Sequence, residues 1–135
     1  MHITWEQYDA MINKLYRRVQ DQNYDIIIGV TRGGLVPAVQ LSHLLGVPMA
    51  TVQYQLRDGN GSMHITSQQS YQKALIVDDI CDTGDTIRGL SEVFKNTDFA
   101  VLIDKTGDSM VKYRAEYFEA DDWAPVHWVV FPWEQ

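Results

Sequence analysis

The sequence predicts an α/β fold: one domain, residues 1–135, whose central sheet is mostly parallel and flanked by helices. Three observations lead there. Short apolar runs, "DIIIGV" (25–30), "KALIVDD" (73–79) and "FAVLIDK" (99–105), have the composition and length of strands buried on both faces. Stretches of helical periodicity alternate with them. A length of 135 residues suits one core of moderate size.

The elements follow in order. Thr4-Trp5-Glu6-Gln7 has the form of a capping box, and Tyr8, Ile12, Leu15 and Val19 then recur at helical spacing, so 5–20 reads as an amphipathic helix. The strand at 25–30 runs into "TRGG" and a helix "LVPAVQLSHLLG", with Pro37 near its start and Gly46 where a C-cap belongs. "MATVQYQL" (49–56) reads as another strand. The polar stretch "RDGNGSMHITSQQSYQ" after it, with Asp58-Gly59 and Asn60-Gly61, reads as a hairpin tip or mobile loop. After the strand at 73–79, a helix over 84–95 carries Ile87, Leu90, Val93 and Phe94 on its apolar side, and the strand at 99–105 follows. Ligands of parallel sheets sit beyond the C-terminal strand ends. Thr31–Gly34, Asp78–Thr86 and Lys105 all fall there.

Composition narrows the function. A formal charge of −7, without basic tracts, argues against nucleic acid and anionic membranes as partners. No apolar run reaches the roughly 20 residues of a membrane helix, and the N-terminal stretch lacks signal-peptide character. Cys81 is the single cysteine, so a reducing, cytoplasmic setting is expected, and the acidic residues around it argue against a nucleophilic thiol. His2, His43, His64 and His127 show no metal-ligand spacing.

The chemically loaded stretch is "ALIVDDICDTGDT", which places Asp78, Asp79, Asp82 and Asp85 where a strand meets a helix. Such crowding is costly unless a cation or a donor-rich ligand compensates it. The N–H groups of a helix start suit a phosphate, with Gly84 permitting close approach and the Thr83 and Thr86 hydroxyls adding donors. Carboxylates at the strand end suit vicinal hydroxyls or a hydrated Mg²⁺. The stretch has no lysine after its glycine for a P-loop, no G-x-G-x-x-G and no calcium-loop pattern.

This stretch resembles the phosphoribosyl-pyrophosphate (PRPP) loop of the type I phosphoribosyltransferases. "IIIGVTRGGLVP" is similar to the pyrophosphate-loop region of the xanthine–guanine and hypoxanthine branch, and "WVVFPWE" to the base-pocket W-x-x-x-P-W-[DE] of bacterial xanthine–guanine enzymes. The resemblance implies the type I fold with a small C-terminal base-binding hood, and transfer of 5-phosphoribosyl from PRPP to guanine, xanthine or hypoxanthine with Mg²⁺ as cofactor. It implies that Asp82 is the acid/base residue and that Asp82, Thr83, Gly84, Asp85 and Thr86 hold the 5′-phosphate. Asp78 and Asp79 would bind the ribose hydroxyls, Asp79 also lying near Mg²⁺. Thr31, Arg32, Gly33 and Gly34 would take pyrophosphate, with a non-proline cis peptide expected there. Lys105 would donate to O6 of the base, Trp128 would stack on it, and the Val129 backbone would read its edge. Trp123 is an alternative stacking residue.

Asp85 departs from the glycine common at its position in relatives, and it sets a negative charge beside a phosphate. Two rival functions are a PRPP-binding regulator without turnover and a transferase for another nucleobase. Lys105, a donor only, argues against adenine. Tryptophans near the C-terminus suit a homodimer or homotetramer.

Overall fold

The computed structural model describes residues 1–57, 60–65, 70–118 and 128–135, with backbone alone at 55–57, 60–63 and 65. Helix α1 (Trp5–Val19) opens with the expected capping box: the Gln7 amide donates to Thr4 Oγ1 (3.0 Å) and the Thr4 amide to Gln7 Oε1 (2.9 Å). Strand β1 (Ile26–Val30) leads into α2 (Leu35–Leu45), which Gly46 ends at φ +67°. Strands β2 (Met49–Arg57) and β3 (Asn60–Ile65) follow, then β4 (Ala74–Cys81), α3 (Asp85–Val93), β5 (Thr97–Asp104) and β6 (Val111–Tyr117). A short 3₁₀ turn, Pro132–Glu134, ends the chain.

Six strands form one sheet in the order β3-β2-β1-β4-β5-β6. All neighbouring pairs are parallel except β2 and β3, which are antiparallel. Two strands exceed the sequence expectation. β3 lies in the polar stretch read as a hairpin tip or loop. β6 has only the weak alternation of an edge strand, with Val111, Tyr113 and Ala115 buried between charged neighbours.

Alternation along the strands divides the core into two layers. Ile27, Leu75, Val77 and Leu102 face Ile12, Leu15, Ala38 and Leu41 of α1 and α2. Ile26, Ile28, Val30, Ile76 and Val101 face Ile87 and Leu90 of α3. Two glycines permit close approach. A Cβ on Gly29 would sit 2.7 Å from the Ala38 Cβ, so α2 rests directly on β1. A Cβ on Gly89 of α3 would overlap the hydroxyl end of the Tyr54 ring, so Tyr54 of β2 abuts the helix backbone directly.

The alternation slips at the acidic pair. Asp78 pairs with Val101 and Ile80 with Ile103, and Asp79 has no partner in that register. Ile80 then packs with the first layer and Cys81 with the second. Carboxylates serve the amides at the slip: Asp79 N donates to Asp78 Oδ1 (2.8 Å) and Ile80 N to Asp79 Oδ1 (2.7 Å).

The chain's two ends meet. Ile3 N donates to Val130 O (2.8 Å) and Val130 N to Met1 O (2.9 Å), while Phe131 is buried beneath them. This pairing carries residues 128–134 back to the C-terminal edge of the sheet.

The contact of Gly29 with Ala38 is testable. Gly29→Ala should lower stability by about 1–3 kcal/mol, the usual cost of overpacking, read as a lower urea midpoint at unchanged m-value.

Candidate active site

The C-terminal ends of β1, β4 and β5 are neighbours in the sheet, and each delivers one loaded segment. After β1 comes Thr31, joined to Arg32 by a cis peptide, then Gly33 and Gly34. The four residues divide by direction. Arg32 and Gly33 line a cavity of about 610 Å³ with Asp79, Trp133 and Glu134. Thr31 turns back to the sheet, its amide donating to Val52 O (2.9 Å) and its hydroxyl to the same oxygen (3.4 Å). Gly34 is buried where a Cβ would strike the Val77 and Val30 carbonyls, and a Cβ on Gly33 would overlap the Asp79 carboxylate. Both glycines allow the turn to lie flush against β4.

After β4 comes the acidic turn. Asp78, Asp82, Thr83, Gly84 and Thr86 line a pocket of about 100 Å³ at the start of α3. Gly84 is the N-cap of α3 at φ +86° and offers no side-chain cap; the Asp85 amide donates to Thr83 Oγ1 at a long 3.3 Å, and the first-turn amides are the donors that a ligand could meet. Asp85 is not among the lining residues. Its carboxylate pairs with Arg88 at 2.6 Å, and this bond together with one to Thr83 holds it below the usual range.

After β5 comes Lys105. A cavity of about 280 Å³ is lined by Lys105, Asp82, Trp128, Val129, Asp79 and Glu134, among others. Lys105 Nζ lies 3.2 Å from Asp82 Oδ1, so the two groups expected to read a base are paired with each other. Lys105 is anchored by its predecessor. Asp104 is fully buried and accepts from Thr106 N (2.9 Å), Thr106 Oγ1 (2.7 Å) and Gly107 N (3.2 Å), and it pairs with Arg114 Nε at 2.8 Å. Trp128 is 73% exposed and presents its ring at the rim. Trp123, the other stacking candidate, lies outside the described residues.

The three cavities adjoin, since Asp79 and Glu134 line both larger ones and Asp82 the two smaller. Burial, the charge of Asp79 and a hydrogen bond with its carboxyl push the Asp78 carboxyl well above 3.8. Asp79 is raised too, mainly by burial, with Glu134 adding repulsion and the Asp78 hydrogen bond opposing it. Cys81 is likewise pushed up by burial and by Asp104, Asp78 and Asp108, in keeping with the unreactive thiol expected.

Sequence reasoning assigned no role to Trp133, Glu134, Arg88 or the Asp104–Arg114 pair. The signal for Glu134 was present, as the closing acid of "WVVFPWE". Its side chain accepts from Phe131 N (2.9 Å), and Trp133 stacks on Phe131 with centroids 4.8 Å apart. Arg114 and the Asp108 contact of Arg88 lack any motif, because the fold alone brings those partners near, whereas Asp85 lies only three residues before Arg88 on the same helix.

Comparison with known proteins decides the family. The phosphoribosyl transferase domain family matches residues 4–134. The chain belongs to this family. Among curated phosphoribosyltransferases, it is 31% identical to the xanthine-guanine phosphoribosyltransferase of Idiomarina loihiensis, over 98% of this chain and 85% of that one. It is 28% identical to the enzyme of the same name from Chromohalobacter salexigens, over 98% and 82%. A solved purine phosphoribosyltransferase from Pyrococcus horikoshii superposes with a TM-score of 0.80 at 34% identity, covering 100% of this chain and 94% of that one. The Helicobacter pylori xanthine-guanine-hypoxanthine phosphoribosyltransferase, at 17% identity and TM-score 0.77 over 98% and 92%, shares the fold. The phosphoribosyltransferase fold inferred from the PRPP-loop motif is thus the fold of this chain.

The raised acidic pair gives this phosphoribosyltransferase a pH signature. Above about 3.8 an unfolded chain has released the Asp78 and Asp79 protons that the native pair still holds, so native stability falls as pH rises. Asp78→Asn, which keeps the acceptor for Asp79 N, should raise the Tm near pH 7 and flatten the fall above pH 3.8, measured by thermal unfolding across pH.

Proposed function

We propose that this phosphoribosyltransferase uses PRPP to convert a 6-oxopurine (guanine, xanthine or hypoxanthine) into its nucleoside 5′-monophosphate, releasing pyrophosphate. The observation that carries this reading is the row of three adjoining cavities, each with groups suited to one part of the reacting pair. The domain is taken to span residues 1–135.

The 5′-phosphate belongs in the small pocket, against the first-turn amides of α3 and the Thr83 and Thr86 hydroxyls. Asp78 takes the ribose hydroxyls, with Asp79 beside it. The pyrophosphate group belongs in the larger cavity, where Arg32 and the Gly33 amide meet its charge. Thr31 and Gly34 support this loop from behind, shaping it rather than touching the ligand. The base belongs in the third cavity, with Trp128 against its face, the Val129 backbone at its edge and Lys105 donating to O6. A 6-amino group offers Lys105 no acceptor.

The chemistry is a substitution at C1′. The bond from C1′ to pyrophosphate breaks as a purine ring nitrogen bonds to C1′, and the proton of the base passes to Asp82. Positive character grows on the ribose during the step, and Asp78 and Asp79, ionised once a cation sits beside them, favour it. Arg32 and Gly33 meet the charge growing on the leaving group. A 6-oxopurine that engages both Lys105 and Asp82 replaces their mutual ion pair with two ligand contacts.

Mg²⁺ fits the donor set. No cluster of three or more His, Cys, Asp or Glu among the described residues could hold a metal alone. Mg²⁺ commonly binds through one or two carboxylates together with substrate oxygens and water, and the raised Asp78–Asp79 pair offers such a partial site through Asp79. Bound there, Mg²⁺ would supply charge neutralisation to the pyrophosphate.

The substrates are PRPP and a purine base. No described helix is long and apolar enough to cross a membrane, and a reducing, cytoplasmic setting suits the lone Cys81. A homodimer or homotetramer is the assembly we favour, with the exposed Val39 and Leu44 of α2 as apolar surface to cover.

Pyrophosphate release with PRPP, Mg²⁺ and a panel of nucleobases tests the reading. Turnover should appear with 6-oxopurines and be weak with adenine. PRPP binding without turnover on any base would favour the regulator instead. Asp82→Asn should lower kcat about 10²- to 10⁴-fold while sparing PRPP affinity, and unchanged kcat would remove Asp82 from the mechanism. Lys105→Ala should raise KM for the 6-oxopurine more than KM for PRPP.

A further inference from the structure

Asp85 poses a problem that the proposed function leaves unsolved: a carboxylate in the first turn of the helix whose amides would receive a phosphate. Three contacts converge beside it. Arg88 Nη2 donates to Asp85 Oδ1 (2.6 Å) and to the Thr83 carbonyl (3.1 Å), while Nη1 reaches Asp108 Oδ2 at 3.5 Å. The guanidinium lies over the turn, since a Cβ on Gly84 would come within 2.8 Å of Nη1. Its anchor is ordered. Asp108 Oδ1 accepts from Met110 N (2.9 Å), Asp108 N donates to Thr106 Oγ1 (3.0 Å), and Asp108 O accepts from Arg114 (3.1 Å).

We propose that Arg88 is a positioning residue of the phosphate pocket, cancelling the charge of Asp85 and fixing the Thr83 peptide so that the turn can receive a phosphate. The inference rests on reading 82–86 as the 5′-phosphate loop. Arg88 is not among the residues lining that pocket, so it acts through the turn and not on the ligand. A planar guanidinium suits this task, having donors enough for a carbonyl and two carboxylates at once. The pair is half exposed, so as a stability device it counts for little. Its consequence is for the local potential. Without Arg88, a bare carboxylate would stand at the helix start, where a phosphate must also sit.

Titration calorimetry of PRPP with Mg²⁺ tests this, using the wild type, Arg88→Ala, Arg88→Lys and the double variant Arg88→Ala/Asp85→Asn. Arg88→Ala should weaken PRPP about tenfold, the scale of one charged contact. Adding Asp85→Asn should restore most of that loss, and Arg88→Lys should fall between wild type and Arg88→Ala. The loss in Arg88→Ala should also shrink in about 0.5 M salt, where exposed charges are screened. A merely structural role would give neither the rescue nor the salt response. Wild-type affinity in Arg88→Ala, or equal weakness in the single and double variants, would overturn the proposal. Failure of the wild type to bind PRPP would overturn the phosphate-loop reading itself, and is a distinct result.

Discussion

The parallel alignment of β1, β4 and β5 is the constraint from which the rest follows. It requires that three separated segments end at one edge, and it sets their spacing by the hydrogen-bonded distance between strands, about 4.8 Å. The strands are among the most buried in the molecule, with α1 and α2 on one face and α3 on the other. A rigid floor is therefore built from apolar side chains, and the polar chemistry is confined to its rim. The slip at Asp79 shows how abruptly one regime gives way to the other. Within a residue or two the amides exchange strand partners for carboxylates.

That rim is locally unfavourable to the free protein. Asp78 and Asp79 are crowded against each other, with Glu134 near Asp79, and the carboxyls of the pair respond by retaining protons. Three other carboxylates have a cation. Asp82 has Lys105, Asp85 has Arg88, and Asp104 has Arg114. The contrast sorts the carboxylates. Those three sit in ion pairs, while burial and mutual repulsion set the Asp78–Asp79 pair apart.

Much of this was legible in the sequence because it depends on local pattern. The capping box at Thr4, the C-cap at Gly46 and the buried runs of β1, β4 and β5 each carry their own signal. So does the acidic turn of 78–86, whose residues are nearly contiguous. What escaped was non-local or edge-bound. β6 interleaves charged residues with its buried ones because one side of it faces solvent, and β3 sits in a stretch whose Asn and Gly read as turn. Arg88 and Asp108 are 20 residues apart, and only the return of the chain through β5 brings them together. Within Thr31–Gly34, Thr31 bonds to Val52 O and Gly34 to Val30 O, contacts that a loop motif does not announce.

The contact between Tyr54 and Gly89 has a mechanical meaning. Gly89 lies on the helix whose first turn borders the small acidic-turn pocket, and Tyr54 lies on the strand from which the β2–β3 hairpin projects. With no side chain between them, ring and backbone are in direct bearing, like a strut against a beam. Tilting the hairpin's base would press on α3 or withdraw its support. The outer edge of the sheet and the pocket thus share one load path, and a substitution at either surface of that bearing would be felt at the start of α3.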